Sequence, residues 1–224
     1  MSLLLPPLPP TFDAALRDVT AKSPLARVAA AQTLASPEPD RAEAALDGLL
    51  RLANDTDASV RSAAMRALRD LANDGAYACL VDHLDDRDPL TRELSVCALG
   101  ALRGPRVEFA LLNALKSEDA AVRFQAVASY FEVCEAPASG PTLPLLSDPD
   151  AKVRAHTARH LARLGDVAVP GLRRALHDDD VRVRIEAALA LSGSGDATGA
   201  AALREALDVP EFLDEALDAI EKAT

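Results

Sequence analysis

His156 and His160 stand four residues apart in the stretch AKVRAHTARHLARLG. On a helix that spacing puts two imidazoles on one face, so both could reach the same metal ion. A protein metal site needs further His, Cys or carboxylate ligands. No such group recurs where it would obviously meet this pair, although a neighbouring segment could bring one. The competing reading is a pair of structural histidines held by hydrogen bonds. The run His177, Asp178, Asp179, Asp180 could also attract a cation, but a calcium loop needs more oxygen ligands at stricter spacing, and helix capping with turn formation accounts for the run. Cys79, Cys97 and Cys134 are odd in number and lack CxxC spacing, so they read as small core residues in a reducing compartment. There is no GxxxxGK loop, GxSxG elbow or recognisable Cys/His pair, which leaves nucleotide hydrolysis and acyl transfer without support. The expectation is therefore no catalytic residue, no cofactor and no metal ligand set, and a protein that is not an enzyme.

The elements around these residues follow from composition. Aromatic residues make up 3% of the chain, Trp is absent, and Ala and Leu carry most of the 49% hydrophobic fraction, which favours closely packed helices over a sheet. With 24 basic against 35 acidic residues, formally −11, the chain cannot offer a broad phosphate-neutralising surface, so nucleic acid is not an expected partner. The opening MSLLLPPLPP has a short leucine run and no basic start, too little for a secretory signal or a membrane span. A cytoplasmic protein without a membrane partner is expected. Pro6, Pro7, Pro9 and Pro10 make residues 1–10 an extended tail or a strap over the first helix, the alternative being a ligand for an aromatic groove.

The rest of the chain repeats. Arg27, Arg61, Arg92, Arg123, Arg154 and Arg184 are separated by 34, 31, 31, 31 and 30 residues. Four residues before them stand Ser23, Asp57, Asp88, Asp119, Asp150 and Asp180, all able to accept from the free N–H groups of a helix start. Pro24 and Pro89 suit the first helical position. Apolar residues follow at helical spacing, as in Val60, Ala64, Ala67, Leu68 and Leu71 or Val153, Thr157, His160, Leu161 and Leu164, so this face is buried. A second apolar helix precedes each cap, ending in Leu84, Leu115, Leu146 and Leu176 in the later copies. Each unit is a helical hairpin with a short acidic turn, Asp55/Asp57, Asp86/Asp88, Asp148/Asp150 and Asp178/Asp180. Gly75, Gly104, Gly165 and Gly195 lie between units and suit the left-handed residue that ends a helix. The arginine column is expected to bond aspartates in the turns of its own or the adjacent unit. Residues 11–209 form the array, and 210–224 close it as a capping helix of the same domain, with Phe212, Leu213, Leu217 and Ile220 on one face. Phe12, Leu16 and Val19 close the opposite end.

The VR…A..AL helix, the GD..AVP.L opening at Gly165, Asp166, Val169, Pro170 and Leu172, and the period near thirty resemble the HEAT repeats, in particular the bacterial kind first described in phycobilin lyases. The resemblance covers roughly residues 11 to 207. It implies an all-α, right-handed α-solenoid of about six hairpins whose second helices line a concave side. Two HEAT-like enzyme families fit poorly. The deoxyhypusine hydroxylases hold two irons with His-Glu dipeptides, whereas the histidines here precede Leu84, Thr157, Leu161 and Asp178. The alkylpurine DNA glycosylases use a basic, aromatic concave surface that this acidic chain lacks.

In such an array function lies where copies differ. Residues one, five and eight after each arginine point away from the core, and the stripe they form names Arg66, Arg69, Glu93, Phe124, Phe131, Arg159, Ile185 and Leu189 as partner-binding candidates. Aromatic and arginine anchors commonly dominate protein interfaces. The alternative for Phe124 and Phe131 is packing against the irregular loop of their own unit. The leading expectation is a non-catalytic scaffold or adaptor binding a protein or extended peptide on the concave face. A phycobilin lyase-like subunit or chaperone is the alternative, and a metal-binding HEAT-repeat enzyme the third.

Overall fold

Aspartate caps start the helices that carry the arginine column. The structure is a computed structural model that describes residues 11–135 and 137–223; the proline-rich segment 1–10 lies outside the described residues. Asp57, Asp88, Asp119, Asp150 and Asp180 each accept a backbone N–H of the following turn, and Pro24 and Pro89 occupy first-turn positions. Ser23 holds the cap position without a side-chain cap bond. The resulting helices are α1 (Phe12–Asp18), α2 (Pro24–Leu34), α3 (Ala42–Ala53), α4 (Ala58–Leu71), α5 (Tyr77–Asp82), α6 (Pro89–Leu99), α7 (Pro105–Ala114), α8 (Ala120–Val133), α9 (Ser139–Thr142), α10 (Ala151–Leu161), α11 (Val169–Ala175), α12 (Val181–Gly193), α13 (Ala197–Ala202) and α14 (Leu213–Ala223). Among the described residues there is no strand, and no helix is long and apolar enough to cross a membrane.

The helices form two compact units, one running to Ala110 and one from Leu111. In the first, Leu34, Leu49, Leu52, Val60, Leu68 and Leu80 are buried. In the second, Tyr130, Phe131, Val153, Leu161, Leu172 and Leu191 are. The second helices are α2, α4, α6, α8, α10 and α12. Before α10 the partner helix shrinks to α9 and the 3-10 turn Leu143–Ser147, because Pro141 and Pro144 each remove a backbone donor.

The arginine column does what its repetition predicts, and with a direction. Arg27 grips Asp55 of the following turn at 2.6 and 2.9 Å and Arg61 grips Asp86 at 2.9 and 2.7 Å. Arg61 also donates to the Asp55 carbonyl at 3.0 Å, and Arg92 to the Asp86 carbonyl at 2.7 Å. The second unit repeats this: Arg123 to Asp148, Arg154 to the Asp148 carbonyl and to Asp178, Arg184 to the Asp178 carbonyl. Each acidic turn is thus held from two sides. The same carboxylates accept the N–H of Asp57, Asp88, Asp150 and Asp180, which fixes the turn that launches the next helix.

Two expectations about helix ends need correction. Gly104, Gly165 and Gly195 have φ of 109°, 58° and 79°, as left-handed positions require. Gly75 does not; the left-handed residue ending α4 is Ala72, with φ 47°. Gly75 is instead a close-approach site, where an added Cβ would lie 2.6 Å from Leu46 Cδ2. At the C-terminal end Phe212 and Ala216 are buried against Ile185, Ala188, Leu203 and Ala206. Leu213 and Leu217, expected on that buried face, are exposed, because α14 starts after the 3-10 turn Pro210–Phe212 and presents a face rotated from the one drawn by continuing a single helix.

Candidate functional site

The three columns of the stripe do not share one fate. The residue five after the arginine stays open, and Gln32, Arg66 and Arg159 are exposed. The residues one and eight after it are closed more often: Ser62 is buried, Ile185 is 1% exposed and Phe131 is 0% exposed. The expectation that Phe131 and Ile185 meet solvent is therefore corrected. At 100° per residue these two columns lie about 20° apart, on the flank that faces the next hairpin. Ser62 Oγ is 3.1 Å from Thr91 Oγ1 there, Ile185 joins the cluster of Leu203, Ala206 and Phe212, and the Phe131 ring lies 5.4 Å from His160.

What remains open forms grooves along the second helices. In the first unit α2, α4 and the start of α6 enclose about 700 Å³, with Val28, Gln32, Ala35, Arg66 and Arg69 from the stripe along it. In the second unit a cavity of about 390 Å³ is lined by Phe124, Ala155, His156, Arg159, Glu186 and Phe212, and one of about 490 Å³ by Arg159, Ala162, Leu189 and Ser192 among others. Half-buried Glu93 on α6 stands outside these grooves.

The candidate arginines differ in what already holds them. Arg69 donates to the adjacent Asp70 at 2.8 and 3.0 Å and lies 3.9 Å from Cys97 Sγ. Arg159 makes a two-point contact with Glu186 of α12 at 3.0 and 2.5 Å, a pairing the sequence reading missed; its only signal is a glutamate on the otherwise apolar helix VRVRIEAALAL. Arg66, by contrast, makes no hydrogen bond or ion pair among the described residues.

The two histidines belong to an aromatic stack. The His156 ring lies on Phe124 at 4.0 Å and against His160 at 4.6 Å, and His160 continues to Phe131. Arg163 lies over the Phe131 ring at 5.6 Å and donates to the Phe131 carbonyl. The expected hydrogen bonds are not what orients them: His156 Nε2 is buried without a partner. Burial, then the neighbouring His160 and Arg159, push the His156 pKa down to about 4, so the ring is neutral at pH 7. Among the described residues no three His, Cys, Asp or Glu side chains are placed to share an ion. Asp178 is taken by Arg154 and Asp180 by its helix cap. Phe124, half-buried, packs on the next hairpin's histidine as well as lining the second unit's groove.

Repeated hairpins and laddered turns, with grooves along the second helices and a further cavity of about 500 Å³ beside α11 and the Leu143–Ser147 turn, define an α-solenoid repeat protein. The HEAT-repeat family profile matches residues 12–100 and 140–221, and the chain belongs to that family. No match was found among curated proteins. Among solved structures the chain is similar to Escherichia coli YibA (19% identity, TM-score 0.66, covering 95% of this chain and 80% of that one). It is also similar to a chain of the CpcE–CpcF complex of phycocyanin lyase from Nostoc sp. PCC7120 (19%, TM-score 0.60, covering 100% and 99%). A designed armadillo repeat protein in complex with the peptide (KR)4 matches at 19% identity and TM-score 0.55, covering 80% and 98%. At these identities the likeness is one of fold.

Proposed function

We infer that this protein is a non-catalytic scaffold or adaptor that holds another protein, or an extended peptide, on its second-helix face. The observation that carries this reading is the column of Gln32, Arg66 and Arg159, which is exposed and lines grooves, while the flanking columns are buried at Ser62, Phe131 and Ile185. Within each unit the stacked second helices supply a surface on which complementarity is spread over several helices. The peptide complex of the designed armadillo protein and the CpcE–CpcF assembly support it, as repeat structures of this kind that engage a polypeptide. The three free thiols, Cys79, Cys97 and Cys134, are compatible with the reducing, cytoplasmic setting proposed for it. Affinity capture with the Gln32→Arg/Arg66→Glu variant tests the reading. Partners retained by the unaltered chain should be lost, while an Arg51→Glu control on α3 keeps them. An unchanged set of partners sinks the assignment.

The similarity to the CpcE–CpcF chain favours a second reading, a phycobilin lyase-like subunit or chaperone. Co-expression with bilin and phycobiliprotein, read by visible absorption, distinguishes the two.

A further inference from the structure

The groove of the first unit combines two features that packing does not explain. At one end Leu25 is 81% exposed and Leu90 is 44% exposed, each the second residue of its helix. Toward the other end stands Arg66, exposed and without an ion pair among the described residues. Small or apolar side chains, Val28, Ala63 and Ala67, also line it. Two carboxylates also line the groove, but both are spent: Asp70 is held by Arg69, and Asp88 caps α6 through Thr91. The two arginines and two aspartates of the lining balance formally, but Asp88 is turned to its helix cap, so Arg66 is the charged group of this cleft left without a hydrogen-bonded partner among the described residues. An apolar wall beside a lone guanidinium selects a carboxylate presented with aliphatic neighbours.

We propose that this groove binds an extended segment of another protein in which one Asp or Glu is flanked by aliphatic residues, the carboxylate on Arg66 and the aliphatic side chains on Leu25 and Leu90. Packed helices lie about 8–10 Å apart, so crossing α2, α4 and α6 takes roughly 20 Å, about six extended residues. Gln32, on the open column, offers its amide to the backbone of such a segment. The proposal rests on the second-helix-face reading and names the chemistry of the partner.

The test uses the full chain and fluorescein-labelled nonapeptides followed by anisotropy. One peptide carries a central Leu-Glu-Leu between β-branched flanks, one has Lys for the Glu, and one has Ser for both leucines. The Glu peptide should bind at least ten-fold tighter than either variant, Arg66→Glu should reverse the order of the Glu and Lys peptides, and Leu25→Ser/Leu90→Ser should weaken the two leucine-bearing peptides while leaving the Ser peptide little changed. Arg66→Gln, a neutral change at an exposed site, should abolish the charge preference without altering helicity. Equal binding of the Glu and Lys peptides, with a photoreactive group at Gln32 labelling the peptide, would overturn the partner chemistry and leave the face intact. Binding that labels only α3 would overturn both. No binding of the Glu peptide at millimolar concentration, or self-association of the chain through Leu25 and Leu90, also overturns the proposal.

Discussion

Arg61 and Asp86, 25 residues apart in sequence, meet through two hydrogen bonds of 2.9 and 2.7 Å, with side chains 5% and 9% exposed. Removing one partner of such a pair leaves a buried charge unanswered, which costs about 3–5 kcal/mol. Asp86→Ala should therefore destabilise the first unit by roughly 3 kcal/mol in urea unfolding. Loss of the exposed Arg41–Asp13 pair through Asp13→Ala should cost less than about 1 kcal/mol. Replacing both members with Met and Leu should recover only part of the loss, since it removes the unanswered charge but takes the acceptor from the Asp88 N–H and the donor from the Asp55 carbonyl.

Acid should weaken the fold in two stages. The His156 imidazole is pushed down to about 4 by burial, then by His160 and Arg159, and burial with Arg159 and Arg163 lowers His160 as well. The unfolded chain takes up these protons first. This contribution is present above an unfolded pKa of about 6.5 and is lost as pH falls toward 4. Allowing for partial exposure it amounts to on the order of 2 kcal/mol. The turn carboxylates titrate later. Burial raises Asp55, Asp86 and Asp148, but the arginine and backbone hydrogen bonds outweigh it; on Asp178 the Arg154 hydrogen bond leads, and all four end below the ordinary value. Their contribution is present above about pH 3.9 and is lost as pH falls through the lower folded values. Urea midpoints measured from pH 7 to 3 should show both declines, and His156→Phe should reduce the first while sparing the second.

Ala72 takes the left-handed role expected of Gly75, and Gly75 serves a close approach instead. With φ 47°, Ala72 stands where an L side chain is strained, so Ala72→Gly should stabilise by roughly 0.5–1 kcal/mol. Gly75→Ala places a methyl 2.6 Å from Leu46 Cδ2, and the overpacking should cost about 1–2 kcal/mol. Thermal unfolding of the two variants should move in opposite directions.

The repeat frame, the aspartate caps and the arginine ladder were legible because each depends on a local spacing that recurs. Asp57 and Asp150 cap helices by the same geometry wherever the frame places them. The surface was less legible. Taking the side opposite the core as solvent counts one buried face, whereas second helices such as α4, α8 and α12 also pack against the element that follows, and that flank closed over Phe131 and Ile185. The contacts of His156 with Phe124 and of Arg159 with Glu186 join residues from successive repeats. Their partners are set by the offset between hairpins, which no single helix pattern encodes.

The most direct test of the second-helix face is site-specific photocrosslinking with benzoylphenylalanine placed in turn at Gln32 and Arg66, and at Asp47 and Arg51 on α3. The account predicts partner adducts from positions 32 and 66 and none from 47 and 51. Adducts confined to Asp47 and Arg51 would contradict it.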